Sequence, residues 1–250
     1  MRSDQELVVA SIYPALLGTY GDTGNALVLQ RRLQWRGLRA RVLTVEVGEP
    51  VPEQCDVYVL GGAEDGAGRT AAALLAGDRG LRRAVASGRP VLAVCAGLQL
   101  LGHEVRTDAG LAYTGLGLLD LTTASRPVRA IGEVVTRPVG GGSTELLSGF
   151  ENHRGASVLG SGAAPLATVL HGVGNGAGEP VEGAVQGSIV ATYLHGPVLA
   201  RNPALADRLL VSAVGAELEP LEVESVTRLR GERLAAVRPL GRGRRRTAAR

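Results

Sequence analysis

Short apolar runs alternate with amphipathic segments through the first hundred residues. Leu7–Ile12, Arg41–Val47, Asp56–Leu60 and the run Val91–Val94 read as strands, the most apolar of them covered on both faces. A helix is expected over Ala26–Arg36, with Leu27, Val28, Leu33 and Trp35 as its apolar positions. Asp22 or Thr23 serves as its cap and Gly37 as its end. A second helix is expected from Thr70 to Ser87, interrupted near Gly77-Asp78. This alternation predicts an α/β chain built on a mostly parallel sheet, doubly covered. Sites in such sheets lie beyond the carboxyl ends of the strands. Two strands end in small residues that suit a site: Leu60 runs into Gly61-Gly62, and Val94 runs into Cys95.

From Leu116 the texture changes. Leu118–Thr122, Ala130–Thr136, Leu166–Leu170 and Ser188–Tyr193 are short strand candidates, read as antiparallel hairpins at the sheet edge. Gly140–Ser143 and His171–Gly178 read as loops. Pro203–Val214 reads as a helix, and a weaker one is expected over Leu221–Val237.

Composition narrows the classes. Aromatic residues make up 3% of the 250, so the core is expected to be Leu, Val and Ala and base-stacking platforms are not expected. All 27 basic residues are arginine, and the net charge is +3. Five of those arginines fall in the last ten residues, GRGRRRTAAR, and the remainder is slightly acidic. The basic signal therefore belongs to a solvated, disordered tail from residue 239, and nucleic acid is not the expected partner. Two cysteines, Cys55 and Cys95, form neither a disulfide framework nor a metal motif. No charged-then-apolar leader precedes Leu7, and no run approaches the roughly 20 apolar residues that span a bilayer. A cytoplasmic location is expected.

The chemistry concentrates on Pro90–Gly102. An apolar strand, then Cys95-Ala96-Gly97, then a short helix puts a thiol at a helix N-terminus, where free N–H groups favour a thiolate. A buried structural cysteine is the competing reading. A thiol nucleophile needs a proton acceptor. His195, in Tyr193-Leu194-His195-Gly196-Pro197 at the end of an apolar strand, is the first candidate, and His153 the second. His103 and His171 read as structural or solvated. Backbone N–H groups left open by the Gly61-Gly62-Ala63 turn, together with that of Ala96, could form an oxyanion hole.

Taken together, Tyr20-Gly21-Asp22-Thr23-Gly24-Asn25, Gly61-Gly62-Ala63-Glu64-Asp65, Cys95–Gly102, Glu151-Asn152-His153 and Tyr193–Pro197 resemble the class I (triad-type) glutamine amidotransferases. The similarity is to the cobyric-acid-synthase-like (CobB/CobQ-like) branch, and within it to the GatD family of glutaminase subunits. The resemblance implies a flavodoxin-like three-layer α/β sandwich over residues 1–238, a mostly parallel central sheet and antiparallel edge strands. It implies that Cys95 attacks the glutamine amide, that His195 carries the proton, and that Gly62 and Ala96 hold the oxyanion. It also implies that Arg129 binds the glutamine α-carboxylate, with Arg126 its nearby competitor.

One position departs from the family pattern. Many triad amidotransferases place an acid two residues after the histidine, where this chain has Pro197, and no carboxylate follows until Asp207. Either the chain works as a Cys95–His195 dyad or the acid comes from another chain, and the resemblance points to the second, an aspartate from a MurT-like Mur-ligase-family partner. That partner would bind ATP and Mg²⁺ and amidate the α-carboxyl of D-glutamate in the lipid II stem peptide. This chain carries no GxxxxGK[ST] phosphate loop, and no cofactor is expected on it. Cobyrinate-type amidation, a silent scaffold subunit and a cysteine peptidase are the alternatives.

Overall fold

The computed structural model describes residues 6–107, 110–140 and 145–237. The elements run β1 (Leu7–Ile12), α1 (Gly24–Gln34), β2 (Ala40–Val45), β3 (Val57–Leu60), α2 (Asp65–Gly77), α3 (Gly80–Ala86), β4 (Val91–Val94) and α4 (Ala96–Leu101). Strands β5 (Glu104–Arg106), β6 (Ala112–Thr114), β7 (Leu121–Pro138), β8 (Leu147–Leu159), β9 (Ala167–His171), β10 (Val181–Glu182), β11 (Ala184–Gln186) and β12 (Ile189–Thr192) follow. Helices α5 (Val198–Arg201), α6 (Pro203–Val214) and α7 (Glu224–Ala236) come last.

One sheet has the order β11-β12-β4-β3-β1-β2, parallel throughout except for the edge strand β11. Its central strands β3, β4 and β12 are buried at every position, which is why they read as unbroken apolar runs. The crossover from β1 to β2 runs one way along the sheet and the crossover from β3 to β4 runs the other. Right-handed crossovers then put α1 and α2 on opposite faces, and the connections diverge between β1 and β3. The expected α/β architecture holds.

At that sheet's edge β11 and β12 form an antiparallel hairpin, as expected of Ser188–Tyr193, and β12 also pairs parallel with β4. The other late strands form a second sheet, β10-β9-β7-β5-β6, with the long strand β8 paired to β7. Strand β8 escaped the sequence reading. Its inward face carries Glu151, His153 and Ser157, all buried, so no apolar alternation betrays it. The expected break near Gly77-Asp78 is real. Asp78 accepts the Gly80 N–H through Oδ1 at 2.6 Å and the Val51 N–H through Oδ2 at 3.0 Å, which separates α2 from α3. Helix α6 matches its expected span, and α7 covers Glu224–Ala236. The tail from 239 and residues 141–143 of the expected loop lie outside the described residues. No helix among the described residues is long and apolar enough to cross a membrane.

Candidate active site

Four neighbouring strands each deliver one piece of the site from their carboxyl ends. In sheet order these are His195 after β12, Cys95 after β4, Gly62 after β3, and the loop 13–23 after β1. The last two meet where the chain connections diverge, the place such sheets leave a crevice.

Cys95 sits between β4 and α4 with φ 52° and ψ −105°. A non-glycine residue in that conformation is strained, and it marks the sharp strand-to-helix turn that projects a nucleophile. Cys55, by contrast, is buried away from this edge, and burial pushes its thiol up.

His195 is fully buried. Its Nδ1 lies 2.8 Å from Asp22 Oδ2. Asp22, one of the two residues expected to cap α1, thus places a carboxylate of this chain against the histidine. Residue Thr23 takes the capping position of α1 with no side-chain bond, and the Asp22 carboxylate turns inward. The same Oδ2 accepts the Gly62 N–H at 2.8 Å. Burial alone would lower the His195 pKa. The hydrogen bond to Asp22, with the nearby Cys95 sulfur and the charges of both, outweighs burial and pushes it up to about 10. Nε2 itself is buried with no hydrogen-bond partner among the described residues.

The loop carrying Asp22 is tied down on both sides. Asn25 donates to the Asp22 carbonyl at 3.0 Å and accepts the Leu199 N–H at 3.0 Å. A Cβ on Gly24 would stand 2.5 Å from Pro197 Cγ, so only glycine lets the loop close on Pro197. The position that lacks the family's acid thus packs against the loop that carries one.

The Gly62 N–H is not open, contrary to expectation, because Asp22 accepts it. Ala96 is the first residue of α4, so its N–H has no intrahelical acceptor. Ala63 lines the same cleft as Cys95, and its N–H makes no hydrogen bond among the described residues.

That cleft has a volume of about 220 Å³, and Arg129 is on its wall. The residue falls where the β7–β8 register shifts, between Ser125 and Ala130, and such an irregularity re-aims a side chain. Arg126 does not line the cleft; it packs toward Gly176. His153 lies on β8 and lines the cleft, stacked on Tyr193 at 3.8 Å with Nδ1 bonded to the Gly155 carbonyl. His103 is half exposed beside Asp120, and His171 ends β9.

Glu182 was not foreseen. It is fully buried, and its Oε1 accepts Thr192 Oγ1–H at 2.8 Å and Tyr193 N–H at 2.7 Å. It therefore fixes the chain three residues before His195. Burial, with the nearby Glu151 charge, raises its pKa to about 7 against the two hydrogen bonds that lower it. Oε2 is buried with no partner among the described residues. Glu182→Gln keeps an acceptor oxygen and removes the charge. The folded state favours the protonated acid, so the penalty is absent below pH 4.5 and grows as pH rises to about 7. The variant is expected to be more stable than wild type at pH 8, by on the order of 2 kcal/mol, and no more stable at pH 4.5. Chemical denaturation at both pH values checks this.

The sequence comparisons agree with this geometry. The family model for the CobB/CobQ-like glutamine amidotransferase domain matches residues 8–203. The GatD subunit of lipid II isoglutaminyl synthase (glutamine-hydrolyzing) from Staphylococcus aureus is 31% identical over 234 residues, 92% of this chain and 94% of that one. Cobyric acid synthase from Cereibacter sphaeroides is 38% identical over 161 residues, 62% of this chain but 32% of that protein. The solved glutaminase domain of Trypanosoma brucei CTPS shares the fold, with a TM-score of 0.53 at 13% identity, covering 88% of this chain and 98% of that one. The chain belongs to the CobB/CobQ-like glutamine amidotransferases, and its parallel sheet carries a glutaminase domain.

Proposed function

We propose that the protein is the glutamine-hydrolysing subunit of a lipid II isoglutaminyl synthase. The observation that carries the chemistry is the strained Cys95 turn beside a buried histidine held by an aspartate. With its raised pKa, His195 is an imidazolium at neutral pH, which stabilises a thiolate at Cys95. The thiolate attacks the side-chain amide carbon of glutamine. The N–H groups of Ala96 and Ala63 receive the oxyanion, Gly62 being engaged by Asp22. His195 then gives its proton to the departing nitrogen, and ammonia leaves a glutamyl thioester. A water molecule next attacks the thioester while His195 takes back a proton, releasing glutamate. Arg129 binds the α-carboxylate from the cleft wall.

Ammonia is the nucleophile for a second reaction that needs an ATP-activated carboxylate. We assign that step, with ATP and Mg²⁺, to a MurT-like partner acting on the D-glutamate α-carboxyl of the lipid II stem peptide. The support is similarity along 94% of the Staphylococcus aureus GatD chain, against about a third of the cobyric acid synthase.

A diazo-ketone analogue of glutamine tests the first half. The expected result is one covalent adduct on the Cys95 peptide, absent in Cys95→Ser and absent at Cys55. No adduct, with or without a partner, would favour a silent scaffold. Mass spectrometry of the stem peptide after incubation with partner, ATP and amide-¹⁵N glutamine tests the second half: label must appear on D-glutamate.

A further inference from the structure

Four side chains close a ring at the mouth of the cleft. Asn152 Nδ2 donates to Tyr20 Oη at 2.7 Å, and Arg129 Nη1 donates to Asn152 Oδ1 at 2.8 Å. Tyr20 Oη–H reaches Glu64 Oε1 at 3.5 Å, and Arg129 Nη2 stands 3.7 Å from Glu64 Oε2. All four line the cleft that contains Cys95. The ring thus presents one cation and one anion side by side, each also anchored by a neutral group, Asn152 for Arg129 and Tyr20 for Glu64.

A free α-amino acid carries the matching pair, a carboxylate and an ammonium on one carbon. We propose that Glu64 receives the α-ammonium group of glutamine while Arg129 holds its α-carboxylate, so that the ring selects the free amino acid over capped or peptide-bound glutamine. This rests on the glutaminase reading of the site and names what that site recognises.

Glu64 is placed for the role. It precedes α2 in an extended conformation, φ −74° and ψ 158°, and makes no capping bond with its side chain. Its carboxylate is therefore not engaged by the helix it introduces. The side chain is 66% exposed, so it can swing from Arg129 onto an arriving ammonium. Asp65, the other acid on the cleft wall, starts α2 and faces Tyr113, whose hydroxyl burial and the Asp65 charge push up to about 12. Glu64 is thus the acid joined to Arg129 in the ring.

The test compares glutamine with glutaric acid monoamide, which lacks the α-amine but keeps the carboxylate and the scissile amide. Hydrolysis is measured with the full chain, the partner subunit present. Wild type is expected to prefer glutamine by roughly 10- to 100-fold in kcat/KM, the effect of one charge-assisted hydrogen bond. In Glu64→Gln that preference falls to within about threefold, through a raised KM for glutamine with kcat held, and the monoamide is unaffected. Glu64→Asp restores part of it. The proposal fails if Glu64→Gln keeps the preference, if both substrates suffer equally, or if Asp65→Asn carries the loss instead. A wild-type protein that turns over neither substrate overturns the glutaminase reading, and this proposal with it.

Discussion

Replacing Asp22 by Asn is expected to cut glutamine hydrolysis by about a thousand- to ten-thousand-fold in kcat, with KM little changed. The side chains are isosteric, so the loop fits as before. What changes is the partner offered to His195. Asp22 Oδ2 accepts from both His195 Nδ1 and Gly62 N–H, and an amide cannot supply the same charge at that point. An asparagine that turns its amide nitrogen toward the ring selects the wrong tautomer and leaves the imidazolium without a counter-charge. Stability offers a second readout. The His195 pKa is raised from 6.5 to about 10, so the charged ring contributes in full below pH 6.5 and the contribution is lost as pH rises toward 10. Wild-type stability should therefore decline across that window, and the decline should be shallower in Asp22→Asn. If the variant bound to its partner turns over like wild type, the working acid comes from the partner and Asp22 is structural.

Gly62→Ala is expected to lower kcat by about a hundredfold or more while the chain still folds. A Cβ at that position would stand 2.8 Å from His195 Cε1, 2.9 Å from Asp22 Oδ2 and 3.4 Å from Cys95 Cβ. All three reacting or positioning groups meet the new methyl at once. No positive φ penalises alanine there, so the cost falls on the side chains and not on the backbone. Overpacking of this kind costs about 1–3 kcal/mol of stability. The glutamine KM should hold, because the Arg129–Glu64 ring lies at the cleft mouth. Steady-state kinetics beside a denaturation curve separates the two effects, and a kcat within threefold of wild type refutes the geometry.

The first hundred residues were legible because β1, β3 and β4 are covered on both faces and leave apolar runs. The nucleophile turn was legible for a local reason: strand, Cys95 and helix are contiguous. Asp22 was not, because 173 residues separate it from His195. Only the folded sheet brings the two together, and a small acid before a helix has an ordinary reading as a cap. Strand β8 was hidden by its chemistry. Glu151 on its inward face accepts the Val173 and Gly174 N–H groups, and Ser157 bonds the Tyr193 hydroxyl, so hydrogen bonds replace the apolar signal. Glu182 was hidden for the same reason.

The spacing of the four strand ends also sets an order in time. A chain growing on the ribosome completes β1, β3 and β4, and so displays the Cys95 turn, a hundred residues before β12 exists. Throughout that interval the thiol is without His195. The pairing of nucleophile and base is thus complete only when the last parallel strand, β12, slots beside β4.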